Sequence, residues 1–198
     1  MREHGLLSTS ALLDLFEING EKRRSLESAH RPESVEIQHP KYGTAVIRDQ
    51  KPMRESALKK CLSGMTPAEW YETLNGQVFF WLTPERVQKL LTARAYRGRS
   101  HTVFCVDTAR LLARFAAKVR LSPINSGSTI YSPQPRGVDT FQAIQDYPFE
   151  RRRKLRGYGN AVAELAVDYA VPDISDLILR VEHRRGNEIL EIIYTATR

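Results

Sequence analysis

A mixed α/β single domain of the α+β class, with its sheet split into parts and flanked by helices, is the fold this sequence predicts. Three observations predict it. Short apolar runs at residues 78–82, 102–106 and 162–170 read as strands, and the segments between them carry apolar residues at helical spacing behind capping residues. Two hairpin signals, at residues 35–47 and 178–194, add antiparallel pairs. The 198 residues are 41% apolar and 27% charged, values of a chain that buries a core, and no repeat, linker or low-complexity tract divides residues 1–198.

In chain order, His4-Gly5 reads as the last turn of a helix with Gly5 past its end. Ser8, Thr9 or Ser10 caps a helix whose Leu12, Leu13, Leu15 and Phe16 form one face. Residues 20–30 are polar and basic, a short surface helix. Residues 35–37 and 45–47 flank the turn sequence from His39 to Gly43, and Arg48-Asp49-Gln50-Lys51 leaves the second strand as a polar cluster, either a ligand contact or a solvated turn. Residues 56–62 form a helix that Gly64 closes. Thr66-Pro67-Ala68-Glu69 is a capping box with proline at the first helical position, opening a helix through Leu74.

After the Asn75-Gly76 turn, residues 78–82 are expected as a central strand. Thr83-Pro84 opens a helix with Val87, Leu90, Leu91 and Arg94 on one side; a strand over 102–106 follows, and Asp107 or Thr108 caps a helix over 109–117. From 121 to 159 regularity fades into turn chemistry, with one helical turn expected over 140–144. The hairpin at 178–194 turns at Gly186-Asn187 and is expected to complete the sheet.

The formal charge of +7 suits polyanionic partners as well as plain solubility. Two cysteines, Cys61 and Cys105, make no disulfide scaffold, and no apolar run is long enough to span a bilayer, so a cytoplasmic protein is expected. The five histidines are scattered without metal-ligand spacing, and no metal is expected. Phosphate-binding glycine loops, the dinucleotide fingerprint and the nucleophile elbow have no counterpart.

Glu164 stands out. It heads an otherwise apolar strand that Val171-Pro172 ends, and it follows a long irregular segment. Two readings stand: an edge position turned to water, or an active-site carboxylate under a lid. Just before it, Arg151, Arg152, Arg153, Lys154 and Arg156 form the densest basic run, beside Tyr147, Phe149 and Tyr158. Cations with aromatics suit a nucleic-acid backbone and its bases, and a solvated basic helix is the plainer alternative.

Ala163-Glu164-Leu165-Ala166-Val167, then Val171-Pro172 and Ile174, resembles the end of a DarT-type ADP-ribosyltransferase domain. Gly5-Leu6-Leu7-Ser8-Thr9 is similar to the Gly-Leu that follows the first helix of that fold, and residues 78–82 lie between the two in the right order. The chain also looks like an uncharacterised bacterial family of this fold class.

The resemblance implies split central sheets of the ADP-ribosyltransferase kind, with NAD as substrate and Glu164 as catalytic carboxylate. It implies a nucleic-acid acceptor held by the basic run, with an NAD glycohydrolase or a non-catalytic binding module as alternatives. Such transferases carry an arginine for the pyrophosphate just after the strand similar to 78–82. Arg86 stands one position beyond that place, and Arg48 is the substitute. Asn125, Ser126 and Ser128 are candidates to hydrogen-bond nicotinamide or ribose, or are plain turn residues. In that fold a strand bearing a histidine, and most of a helix, precede the Gly-Leu; here they are expected upstream of Met1 or missing.

Overall fold

The computed structural model describes residues 3–94, 96–130 and 132–196. Its organising strand is the one that carries Glu164. In chain order the elements are β1 (Leu6–Leu7), α1 (Thr9–Leu15), α2 (Gly20–Glu27), β2 (Val35–His39), β3 (Gly43–Ile47), α3 (Glu55–Cys61), β4 (Leu62–Ser63), α4 (Pro67–Asn75), β5 (Gln77–Trp81) and α5 (Pro84–Leu91). There follow β6 (Ser100–Val106), α6 (Thr108–Phe115), β7 (Val119–Ser122), β8 (Arg136–Gly137), β9 (Gln142–Ala143), α7 (Phe149–Arg156), β10 (Glu164–Asp168), β11 (Ala170–Val171), β12 (Ile178–Arg185) and β13 (Glu188–Thr195). This is a mixed α+β single domain.

Two antiparallel sheets share the main core. One has the order β5–β10–β7–β9, the other β13–β12–β6. Leu165 and Val167 of β10 pack with Val78, Val119, Leu111, Ile178 and Val181, so the inner face of β10 joins both sheets through α6. A second core holds α1 and α2 against the β2–β3 hairpin, through Leu13, Phe16, Leu26, Ile37 and Ile47. Met53, Leu58, Trp70, Tyr71 and Leu74 form a third, between α3 and α4.

The helices start where their caps place them. Ser8 accepts from the Ala11 amide, Asp107 accepts from the Arg110 amide, and Thr66 and Glu69 close the capping box reciprocally. Each satisfies an amide that the first turn of a helix leaves without a partner.

Four expectations are corrected. Residues 78–82 do not form a central strand: among the described residues β5 is an edge, paired to β10 alone, and its Phe79 is exposed. The segment 121–159 is not irregular throughout, because β7 reaches Ser122 and lies against β10, while β8, β9 and α7 follow. In place of a helical turn over 140–144, Gln142 and Ala143 are extended against β7, and the turn falls at Ile144–Asp146. The hairpin β12–β13 joins β6 in a separate sheet rather than completing the one with Glu164. Tyr169 separates β10 from β11 by adopting φ +70, and its hydroxyl donates to Asp14 Oδ2 at 2.7 Å. That left-handed residue turns Ala170 and Val171 toward β1.

Among the described residues no helix is long and apolar enough to cross a membrane.

A candidate active site around Glu164

Glu164 begins β10 with Trp81 of β5 opposite on one side and Ser122 of β7 on the other. It is 4% exposed, so the reading of a surface edge position does not hold. The strand register places its side chain on the face opposite Leu165 and Val167, away from the main core. There the loop around Ser126 packs against it. The Ser126 amide donates to Glu164 Oε2 at 3.0 Å, and Ser126 is itself buried. Burial drives the Glu164 pKa up to about 7, against the opposing pull of Ser126 and of the Arg86 and Arg136 charges.

Arg136 holds the covering loop in place. Its Nη1 donates to the Ser126 carbonyl at 2.8 Å and its Nε to the Gln134 carbonyl at 3.1 Å, while its guanidinium lies 5.7 Å from the Trp70 ring centroid. One arginine therefore grips the carbonyl of the residue whose amide grips Glu164. Desolvation lowers the Arg136 pKa, yet its acceptors are carbonyl oxygens that favour a cation. Gly137 lets this strand approach: with φ +154, it sits so close to Ser63 that a Cβ would collide with the Ser63 carbonyl.

Arg86, on α5 immediately after β5, donates from Nη2 to Asn160 Oδ1 at 3.1 Å. Its Nε is buried and has no hydrogen-bond partner among the described residues. Of the two arginines considered for a phosphate, Arg86 is the one whose charge reaches Glu164. Arg48 is exposed, with its guanidinium 4.9 Å from the Tyr96 ring centroid and its carbonyl taken by Arg31 Nε, and it is not among the charges acting on Glu164.

The three loop candidates divide. Ser126 contacts Glu164 directly, whereas Asn125 is exposed and Ser128 accepts from the Ile130 amide at 3.4 Å in a local turn. The basic run forms α7, which buries none of its residues. Arg153 pairs with Glu150 at 2.8 Å, and Arg156 donates to the Pro123 carbonyl at 2.7 Å, at the start of the covering loop. Arg152 lines a cavity of about 230 Å³ together with Ser63, Pro123, Arg136, Asp139 and Thr140. Glu164 does not line that cavity; it lies behind it, through Arg136 and Ser126. Arg151 and Lys154 are exposed. Tyr147 is buried, its hydroxyl donating to the Ala161 carbonyl at 2.6 Å, so it is no stacking platform, whereas Tyr158 is 77% exposed.

Arg136 and Asn160 were not singled out from the sequence. The only local signal for Arg136 is an arginine held between Pro135 and Gly137, and Asn160 gives none. At the other end of β10, the segments that carry the family resemblance meet. Gly5, at φ +70, packs on the Val171 carbonyl and Pro172, and Leu6 pairs with Val171.

Residues 1–178 match a family described as one of unknown function, DUF7002. The chain belongs to the DUF7002 family. No curated protein and no solved structure matches it. The match ends at the first residue of β12, so Glu164, Ser126, Arg86 and Arg136 all lie within the DUF7002 portion. Among the described residues, no three His, Cys, Asp or Glu side chains converge on a metal position.

Proposed function

We propose that this DUF7002 chain is an ADP-ribosyltransferase that uses NAD and a nucleic-acid acceptor, with Glu164 as the catalytic carboxylate. The observation that carries the proposal is a buried carboxyl, its pKa raised to about 7, on which the charge of Arg86 acts, the Arg86 Nε being buried and without a partner among the described residues. A buried acid with a perturbed pKa, on which an arginine charge acts, is a candidate functional site, and the free Arg86 Nε leaves a donor for a ligand there. Arg86 fits a phosphate oxygen there. The contact of Gly5 with Val171 and Pro172 adds support, since it brings together the two segments on which the resemblance rests.

NAD would supply a ribosyl–nicotinamide bond whose leaving group is already cationic and needs no acid. The protein's part is then to place charge and to accept a proton. With a pKa near the working pH, Glu164 suits proton acceptance from an acceptor hydroxyl or amine. Ser126 occupies Oε2, so displacement of the loop around Ser126 frees the carboxylate. Arg156 and Arg136 tie that loop to α7 and β8, which couples the basic helix to Glu164.

A second reading has an observation of its own. Glu164 is 4% exposed and already accepts a hydrogen bond, which suits a structural pin in a nucleic-acid binding module. One experiment separates them: incubation of the wild type and of Glu164→Gln with NAD labelled on the adenylate, in the presence of single-stranded DNA, RNA or protein. Label on a nucleic acid that Glu164→Gln abolishes supports the transferase. Nicotinamide release without labelled acceptor means hydrolysis, and no NAD consumption means a binding module.

A further inference from the structure

The cavity of about 230 Å³ between β8 and α7 has no part in the chemistry proposed for Glu164, and its lining is one-sided. Arg136 lines it from β8 and is 4% exposed, so a cation stands almost wholly out of water there. The carbonyls of Ser126 and Gln134 take two of its five N–H groups. Among the described residues no carboxylate lies within ion-pair distance of it. Glu164 acts on it from farther away, and the Cys61 side chain lies against it. Buried charges are ordinarily paired, and an unpaired one is costly.

The rest of the lining repeats that imbalance. Arg152 faces the same space from α7, and among the described residues it makes no ion pair. Thr140 Oγ1 accepts from the Gly137 amide at 2.8 Å, which leaves its own O–H to donate, and Ser63 brings a second hydroxyl from β4. Nearby carbonyls are already engaged: Arg156 Nη1 donates to that of Pro123 at 2.7 Å, and the Thr140 amide to that of Gly137 at 3.0 Å. Against two arginines the lining sets a single acid, Asp139, among the described residues. The cavity therefore lacks acceptors and negative charge, which a ligand has to supply.

We propose that this cavity binds a phosphate group, held between Arg152 and Arg136 with the hydroxyls of Ser63 and Thr140. The layout of the donors selects phosphate over carboxylate. They come from β4, from β8, from the turn after β8 and from α7. Tetrahedral oxygens accept from such scattered directions, whereas the two coplanar oxygens of a carboxylate are met by one guanidinium fork. Volume sets the size of the ligand. Sites that enclose a whole drug-sized molecule run to about 300–1,000 Å³, so this one takes the phosphate and little of what bears it. Free phosphate and the terminal phosphate of a larger molecule share this chemistry. Neither Glu164 nor Arg86 lines the cavity, and the site stands whether or not Glu164 is catalytic.

The test is calorimetric titration of the full chain with inorganic phosphate, the ionic strength held constant with chloride. A dissociation constant on the order of 0.1–1 mM is expected for so small a ligand. Arg152→Ala is expected to raise it about tenfold or more, and Arg110→Ala, which removes an exposed cation on α6, to leave it unchanged. Acetate is expected not to displace the phosphate. The proposal is overturned by no binding up to about 20 mM phosphate, by binding that Arg152→Ala leaves intact or Arg110→Ala weakens as much, or by equal competition from acetate. A trinucleotide with and without a terminal phosphate then identifies the source. Displacement by the phosphorylated form alone assigns a terminal phosphate, and displacement by neither assigns free phosphate; both support the site. Equal displacement by the two forms overturns it, because an internal phosphodiester does not fit so small a cavity. Should Arg152→Ala fail to fold, the wild-type amide resonances decide. Those of Ser63, Gly137 and Thr140 must shift with phosphate more than those of α6, and equal shifts refute the site.

Discussion

The Ser126 amide and the Glu164 carboxylate, 3.0 Å apart, join a covering loop to the central strand across 38 residues of chain. The bond satisfies one carboxylate oxygen in a place that water does not reach. It also makes the loop's position depend on the state of the acid, since an ionised carboxylate accepts this bond more strongly than a neutral one. Arg136, holding the other side of the same peptide segment, keeps Ser126 in reach.

Replacing Glu164 by glutamine should stabilise the fold at neutral and alkaline pH. The folded pKa of about 7 lies above the ordinary value of 4.5, so the folded state keeps a proton that the unfolded chain has lost between those two values. The contribution of Glu164 to stability is therefore greatest below pH 4.5, declines as pH rises to 7, and is flat above; the decline is on the order of 3 kcal/mol. Glutamine keeps an acceptor for Ser126 and carries no charge to bury, and the acceptors of Arg136 that remain are backbone carbonyls. Thermal melts at pH 8 should place Glu164→Gln above the wild type by roughly 5–10 °C, with the gap closing toward pH 4.5. Equal melting temperatures at pH 8 would show that the carboxylate is solvated.

The same titration sets the pH dependence of the proposed chemistry. If Glu164 accepts a proton, the rate of NAD consumption rises as pH passes through about 7 and then levels off. Glu164→Gln should lower the rate by about 10²-fold or more at every pH, without a matching loss of nucleic-acid affinity. A wild-type rate independent of pH between 5.5 and 8.5 counts against Glu164 as the base.

How far the sequence announced this site depends on which residue is asked about. Glu164 was legible because an acid in an apolar strand has few explanations, and the capping box at Thr66 was legible because both partners lie within four residues. Strand β7 was not: four residues between a helix and Pro123 carry too little periodicity to separate from loop. Arg136 was hidden for a different reason. Its role comes from contacts with Ser126 and Trp70, ten and sixty-six residues away, which no local pattern encodes. The edge position of β5 was misread because an apolar run reports burial, and here Val78 meets the core while Phe79 lies on the opposite face.

Gly137→Ala should be among the most damaging single changes outside the cores. The backbone there has φ +154, and a methyl group would strike the Ser63 carbonyl in the β4–β8 pair. Moving the strand to relieve the clash pulls Arg136 away from Ser126, so a loss of at least 2–3 kcal/mol is expected. Gly157→Ala is the comparison: φ is +78, but open space surrounds the position, and about 1 kcal/mol is expected. Chemical denaturation of both variants checks the order. Similar costs would mean that the Ser63 contact is easily relieved.

Binding of single-stranded nucleic acid tests α7, and the ion pairs say which cations count. Arg153 is engaged by Glu150 and Arg156 by the Pro123 carbonyl, whereas Arg151, Arg152 and Lys154 make no ion pair among the described residues. If these three contact phosphates, changing them together to alanine should weaken binding and flatten the plot of log affinity against log salt by about 2, at roughly 0.7 per phosphate on a single strand. Arg153→Ala should change that slope little, because Glu150 already offsets its charge. Tyr158 is the most exposed of the three aromatics beside the run, so Tyr158→Ala should cost about 1–3 kcal/mol of affinity with the slope unchanged, and Tyr147→Phe should cost none. The separation of slope from affinity is the point of the design, since a base stack releases no counterions. A triple variant that binds with the wild-type slope would make α7 a solvated face, and the acceptor would then have to be sought among proteins, small molecules or water.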